Sequence, residues 1–210
     1  MIFINTGNGF EARPLPQEAQ LSAAFHPGLA DFDNDGNEDL FLSQNFFGVS
    51  EGMSRMDSGR GLLLKGDGQG NFTTLSGTES GVKIYGEQRG AAFNDINNDG
   101  KIDLVVSQNG AQTKIYLNQN EKSGYSIRLE GPSTNRNGVG STIQLIYENG
   151  EKGPRRTIQS GAGYWSQNSF TQIMGAKSDV KEIEIFWFDG RNQTVPVVDG
   201  KRNYLISYSY

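Results

Sequence analysis

The chain has 210 residues, a formal charge of −5 and a pI near 5.0, which allows one large all-β domain or two ordinary ones, with two as the working count. The acidic balance excludes the clustered basic surface that nucleic acid requires, and no apolar run is long enough for membrane insertion. Cysteine is absent, which excludes disulfides, zinc–thiolate sites and cysteine nucleophiles.

From the start, Ile2-Phe3-Ile4-Asn5-Thr6-Gly7 reads as the middle of a strand and its turn rather than as a leader, so the expectation is a piece of a longer parent chain with an added start methionine. Short apolar runs interrupted by Asn-Gly, Asp-Gly and Gly-Asn pairs follow along the whole chain, as the 28 glycines suggest. This is turn chemistry for many short strands, and no long window has helical spacing. His26, the one histidine, precedes Pro27 and is read as structural, because no Gly-x-Ser-x-Gly elbow accompanies it.

Next comes the acidic segment Ala30-Asp31-Phe32-Asp33-Asn34-Asp35-Gly36-Asn37-Glu38-Asp39-Leu40, and it returns 64 positions later as Asn94-Asp95-Ile96-Asn97-Asn98-Asp99-Gly100-Lys101-Ile102-Asp103-Leu104. The match runs on through Ser43-Gln44-Asn45 and Ser107-Gln108-Asn109. A second repeated element pairs Ile2–Phe10 with Leu62–Phe72, and Lys114–Asn118 is a partial third copy. Each unit reads as a strand, a glycine-rich turn, a second strand, the acidic loop and a third strand.

Calcium takes six to eight oxygens, and oxygen side chains at loop positions one, three and five converge on one point when a glycine at six turns the chain sharply. In the first loop Asp31, Asp33, Asp35, the carbonyl of Asn37 and Asp39 are the expected ligands. In the second, Asp95, Asn97, Asp99, the carbonyl of Lys101 and Asp103 take the same places. Both ions are expected to be structural. The EF-hand alternative fails because Leu42 and Val106 stand where its glutamate belongs, inside strand-like runs. Solvated turns without metal are the plainer alternative. With four carboxylates against three, the first loop is expected to bind more tightly.

These loops and their flanking strands resemble the VCBS or FG-GAP-like repeats of calcium-binding β-propellers, including the integrin α-subunit type. The resemblance covers residues 1–120 and implies propeller-like blades, about two of them, in an incomplete propeller.

After the polar linker at residues 118–124, strand alternation replaces the acidic repeat, with Ile127 and Leu129, then Ile183, Ile185 and Trp187, then Tyr204, Ile206, Tyr208 and Tyr210 each forming one face. Residues 121–210 are therefore expected to form an antiparallel β-sandwich or barrel. Three stretches here, Asn135–Ser141, Gly161–Ser169 and Ile185–Gly190, resemble the ASPIC/UnbV domain, with Phe188 in place of that family's usual proline. Tyr164 and Trp165 beside Gln167 and Asn168 are candidate contacts for a sugar or peptide, with closure of the sandwich end as the plainer reading. Arg136, Arg155 and Arg156 are expected to pair with the protein's own acids.

The expectation for function is a non-catalytic, calcium-stabilised interaction or adhesion-type module, extracellular or periplasmic, meeting a protein or glycan at a cell surface. The alternative is a carbohydrate-binding or carbohydrate-active protein using the Tyr164-Trp165 loop.

Overall fold

A computed structural model describes residues 1–209. The fold is all-β, made of several mainly antiparallel sheets of which none closes into a barrel. The hairpin of β1 (Ile2–Asn5) and β2 (Phe10–Arg13) comes first, then a 3-10 turn at Gln17–Gln20. Strands β3 (Ala24–Ala30), β4 (Asp39–Gln44), β5 (Leu62–Gly66) and β6 (Phe72–Leu75) form a four-stranded meander, the first repeat unit. The second unit has three strands, β7 (Glu87–Asn94), β8 (Asp103–Asn109) and β9 (Ala111–Tyr116). All residues of β4 are buried, which explains its unbroken Leu40-Phe41-Leu42 run: it lies between β3 and β5 with both faces covered.

The two units share a register. Leu29 lies opposite Leu40 and Phe93 opposite Leu104, and the acidic loops close equivalent strand pairs, Ala30 with Asp39 and Asn94 with Asp103. Phe93 fills the seam between units: its ring meets Phe32 edge-on at 5.2 Å between centroids, Phe41 at 6.4 Å and His26 at 5.8 Å. Gly28 is glycine because a Cβ there would collide with the Phe93 ring.

The remaining strands are β10 (Tyr125–Glu130), β11 (Thr142–Tyr147), β12 (Lys152–Thr157), β13 (Gln172–Met174), β14 (Val180–Phe186), β15 (Asn192–Pro196) and β16 (Asn203–Ser207). They make two sheets, β13-β10-β16 and β12-β11-β14-β15, facing each other across a core of Ile127, Leu129, Ile143, Leu145, Ile183, Ile185 and Trp187. The expected alternation places Ile183, Ile185 and Trp187 inward. One pairing departs from the antiparallel expectation. The chain leaves β15 in one sheet and crosses to the other, so β16 enters beside β10 in parallel. Tyr204 and Ile206 are buried, Tyr208 follows the strand and stacks edge-on against Trp187 at 5.2 Å, and Tyr210 lies outside the described residues. At Phe188 the N–H donates to Ser141 Oγ at 3.1 Å, a bond that proline has no hydrogen to make.

The sandwich rests on the repeat units. Ile173 of β13 joins the core of the units. The segment before it runs along β7, where Ser169 N donates to the Phe93 carbonyl and Phe93 N to Asn168 Oδ1, each at 3.0 Å.

Candidate metal centre

In both acidic loops the same two positions take left-handed backbone, Asn34 and Gly36 in the first and Asn98 and Gly100 in the second. Asparagine and glycine tolerate that region best, and it turns successive N–H groups toward the first carboxylate. Asp31 accepts from Asp35 N at 3.0 Å and from Gly36 N at 2.8 Å, and Asp95 accepts from Asp99 N and Gly100 N at 3.0 and 2.8 Å.

The last aspartate of each loop is a staple between strands. Asp39 accepts from Phe32 N and, across to β5, from Gly66 N, both at 2.9 Å. Asp103 accepts from Ile96 N at 2.7 Å and from Asn118 N, just past β9, at 2.8 Å. Each therefore ties its own loop to the next strand of the unit.

The loops differ in what surrounds them. In the first, one carboxylate oxygen each from Asp31, Asp33 and Asp39 lies within 4.8 Å of the others. A single calcium with bonds of about 2.4 Å spans at most about that distance between two ligands, so the arrangement fits one ion. Burial pushes the Asp31 carboxyl up to about 7 despite its bond from Gly36. Burial likewise pushes Asp39 up to about 6 against the bonds from Gly66 and Phe32, and in both cases neighbouring aspartates add to the rise. Such crowding of buried carboxylates is what a dication relieves. Two amide oxygens at this loop, Asn34 Oδ1 and Asn37 Oδ1, are also buried without a hydrogen-bond partner. Lys65 of β5 closes the mouth, with its ammonium on Asp33 and, at 3.0 Å, on Asp35.

In the second loop Asn97 donates its amide to Asp99 at 3.1 Å, and Lys101 Nζ lies 3.4 Å from the same carboxylate. It does not gather three carboxylates as the first loop does, and Ile96, Asn97 and Asn98 face solvent.

The first loop is covered by the sandwich. Asn34 Nδ2 donates to the Lys122 carbonyl at 3.0 Å, Gly36 packs on Lys177, and Gly175 approaches Asp31 so closely that a Cβ would strike its carboxylate. Glu38, at the eighth loop position, receives two parallel bonds from Arg156 of β12, each 2.8 Å long. Glu38 was not among the residues singled out from sequence. The available signal was a mismatch in the repeat, since the buried apolar Ile102 holds that position in the second loop.

The second candidate group separates into two kinds. Asn168 caps the Phe93 backbone, and Gln167 is folded back on Gly161, Gln159 and Asn168, so both hold the loop's shape. Tyr164 is half-buried, edge-on to Phe25 at 5.7 Å, and its N–H donates to His26 Nδ1 at 3.3 Å. Trp165 is left to solvent, 93% exposed, stacked on Tyr164 at 5.5 Å and held at φ 46°. It borders a cavity of about 420 Å³ with Arg89, Ser107, Gln108 and Asn109. Arg155 lies over the Phe186 ring at 4.4 Å.

Among the described residues no helix is long and apolar enough to cross a membrane. Over 90 residues the chain is 24% identical to cartilage acidic protein 1 of Xenopus tropicalis, a match covering 43% of this chain and 14% of that protein's length. Residues 131–210, the greater part of the sandwich, match the family model described as ASPIC and UnbV.

Proposed function

We propose that the chain is a non-catalytic interaction module of the extracellular or periplasmic space whose repeat units are blades of the VCBS or FG-GAP-like kind, held by calcium at the two acidic loops. The observation that carries this reading is the convergence of the buried Asp31 and Asp39 and the half-buried Asp33 onto one point. Asp31, Asp33, Asp35 and Asp39 with the Asn37 carbonyl would hold one ion, and Asp95, Asn97, Asp99 and Asp103 with the Lys101 carbonyl the other. Calcium supplies positive charge that the buried carboxylates otherwise lack. The protein's own part is to fix the oxygens: the backbone N–H bonds to Asp31, Asp39, Asp95 and Asp103 set each carboxylate in place, and Asp39 and Asp103 carry that order to the neighbouring strand. Millimolar calcium outside the cytosol fills even weak sites. Calorimetric titration of the chelated protein tests the reading. Two binding events and a higher melting temperature are expected, with about 2.7 kcal/mol gained per site at a hundredfold excess over Kd. No uptake and an unchanged melting temperature would refute it.

A second reading, carbohydrate binding, is favoured by one observation. A tryptophan held in left-handed backbone, which costs of the order of 1–3 kcal/mol, presents its indole to solvent beside a polar cavity. Titration with a panel of neutral hexasaccharides, read by tryptophan fluorescence, tests it. Trp187 is buried, so a blue shift lost in Trp165→Ala reports this site, and silence across the panel removes the reading.

A further inference from the structure

The sequence leads one to expect that the arginines of the sandwich pair with the protein's own acids. Arg156 does so with Glu38, but Arg136 does not. Among the described residues neither Arg136 nor Arg128 of β10 forms an ion pair. Arg128 is half-buried, lies over the Phe170 ring at 5.3 Å, and donates from Nη2 to Asn137 Oδ1 at 2.6 Å. Arg136 is exposed on the loop between β10 and β11. That loop is tied to itself: Asn135 exchanges bonds of 2.8 and 2.9 Å with the Val139 backbone, and Gly131 N donates to the Arg136 carbonyl at 3.0 Å. The two arginines border one cavity of about 430 Å³ together with Ser133, Asn137, Glu130 and Leu205. Leu205, the partner of Arg128 on β16, is 68% exposed and forms an apolar wall.

We infer that this cavity is a docking site for an acidic peptide, taking one aspartate or glutamate side chain between Arg128 and Arg136 and an apolar residue, two positions away, on Leu205. A half-buried guanidinium without a counter-charge is costly, and a carboxylate matches its planar fork of donors. Asn137 occupies only one of those donors and fixes the group in place, so the others are free for a ligand. Glu130 limits what the ligand can be. One of its oxygens accepts from Ser207 Oγ at 2.8 Å, and its charge leaves the two arginines room for one carboxylate while repelling a polyanion such as a sulfated glycan. No aromatic ring among the described residues lines the cavity to stack a sugar, whereas Leu205 offers apolar contact of side-chain size. In an extended peptide, residues two apart face the same way, so an acid and an apolar side chain reach the two parts of the site together. The inference names a partner for the interaction module and goes beyond the calcium reading, since no residue of the acidic loops takes part.

The probe is the capped peptide acetyl-Leu-Thr-Glu-Thr-Leu-amide, titrated into the isotope-labelled intact protein in calcium and followed by NMR at backbone amides and arginine side-chain N–H groups. Saturable shifts are expected at Ser133, Asn137, Arg128 and Arg136. Arg136→Glu in the protein, or glutamine for glutamate in the peptide, should weaken binding about tenfold or more. Leu205→Asp should weaken it as well. Arg136 and Leu205 are exposed, so both variants should keep the parent melting temperature. Arg55→Gln, at an exposed arginine over Phe47 between β4 and β5, should leave binding unchanged. Absence of saturable shifts overturns the inference, as does equal binding of the glutamate and glutamine peptides. The same shifts produced by a glucuronate-bearing disaccharide at lower concentration than the peptide overturn it too, by giving the site to a glycan. The calcium reading is judged separately, by calorimetry on the protein without peptide.

Discussion

Arg156 in the sandwich and Glu38 in the first acidic loop form a two-pronged ion pair, Nε to Oε1 and Nη2 to Oε2, both at 2.8 Å. A third donor of the same guanidinium, Nη1, reaches the Ile173 carbonyl at 3.0 Å. The contact thus joins the loop, the edge strand β12 and the strand β13 that enters the core of the units. Planar, bidentate geometry and partial burial put it above an ordinary surface pair. Arg156→Ala is expected to lower stability by about 1–3 kcal/mol in urea denaturation. It should also weaken calcium binding at the first loop several-fold and leave the second untouched. Equal effects on both loops would mean that the clamp acts on the whole fold and not on its own loop.

Asp33 separates metal binding from folding. Its Oδ1 accepts from Asp35 N at 3.2 Å, a bond an asparagine oxygen can keep, and its other oxygen faces Lys65 at the partly exposed loop mouth. Asp33→Asn is therefore expected to change the stability of the chelated protein by no more than about 0.5 kcal/mol. Calorimetric stoichiometry should fall by one ion. An unchanged stoichiometry would place the first ion elsewhere.

Glu87 of β7 is buried, and burial alone would raise its pKa, yet Phe47 N, Asn109 Nδ2 and Arg89 Nη2 at 2.9, 2.6 and 2.6 Å together bring it down to about 2. A depressed carboxyl stabilises the fold above its unfolded value, near 4.5, and that contribution is lost as pH falls through about 2. Glu87→Gln should cost about 1.5–3 kcal/mol at neutral pH. The gap between variant and parent should stay level above pH 4.5 and close toward pH 2. A gap independent of pH throughout would assign the loss to packing.

Much of this architecture is legible in the sequence, for reasons that differ by element. The alternation of Ile183, Ile185 and Trp187 marks an inward face because the side-chain period of a strand is two. The two loops announce themselves because left-handed turns demand Asn and Gly at fixed positions, and the 64-residue repeat confirms the spacing. Contacts between distant segments leave no such periodic mark. Lys65 at the mouth of the first loop, the Glu38–Arg156 clamp and the Glu87 cluster each depend on how separate strands are brought together. Even the parallel course of β16 beside β10 is a property of the crossover and not of the strand. Gln167 and Asn168 look like ligand contacts in sequence because amides serve backbone caps and ligands equally well, and only the partner's position distinguishes the two.

His26 stands where three segments meet, β3, β7 and the sandwich loop at Tyr164. Its Nδ1 accepts from Ala91 N of β7 and from Tyr164 N of the sandwich loop, both at 3.3 Å, so this nitrogen must be unprotonated and Nε2 carries the hydrogen. Nε2 is buried without a partner, and Gly163 is glycine because a Cβ there would strike the imidazole. Burial lowers the His26 pKa. A histidine with a depressed folded pKa supports the fold fully above its unfolded value near 6.5, and its contribution is lost as pH falls toward the folded value, because the unfolded chain takes the proton first. Protonating Nδ1 would also set a third N–H against the two it now receives. His26→Ala is expected to cost about 2–4 kcal/mol at pH 7.5, from the cavity and the two N–H groups left without their acceptor. The cost should shrink as pH is lowered below 6.5. Limited proteolysis should find new cleavage between residues 159 and 168, the segment His26 holds against the repeat units. A variant that unfolds no more easily than the parent, with that segment still protected, would show that the bonds to Phe93 hold it unaided.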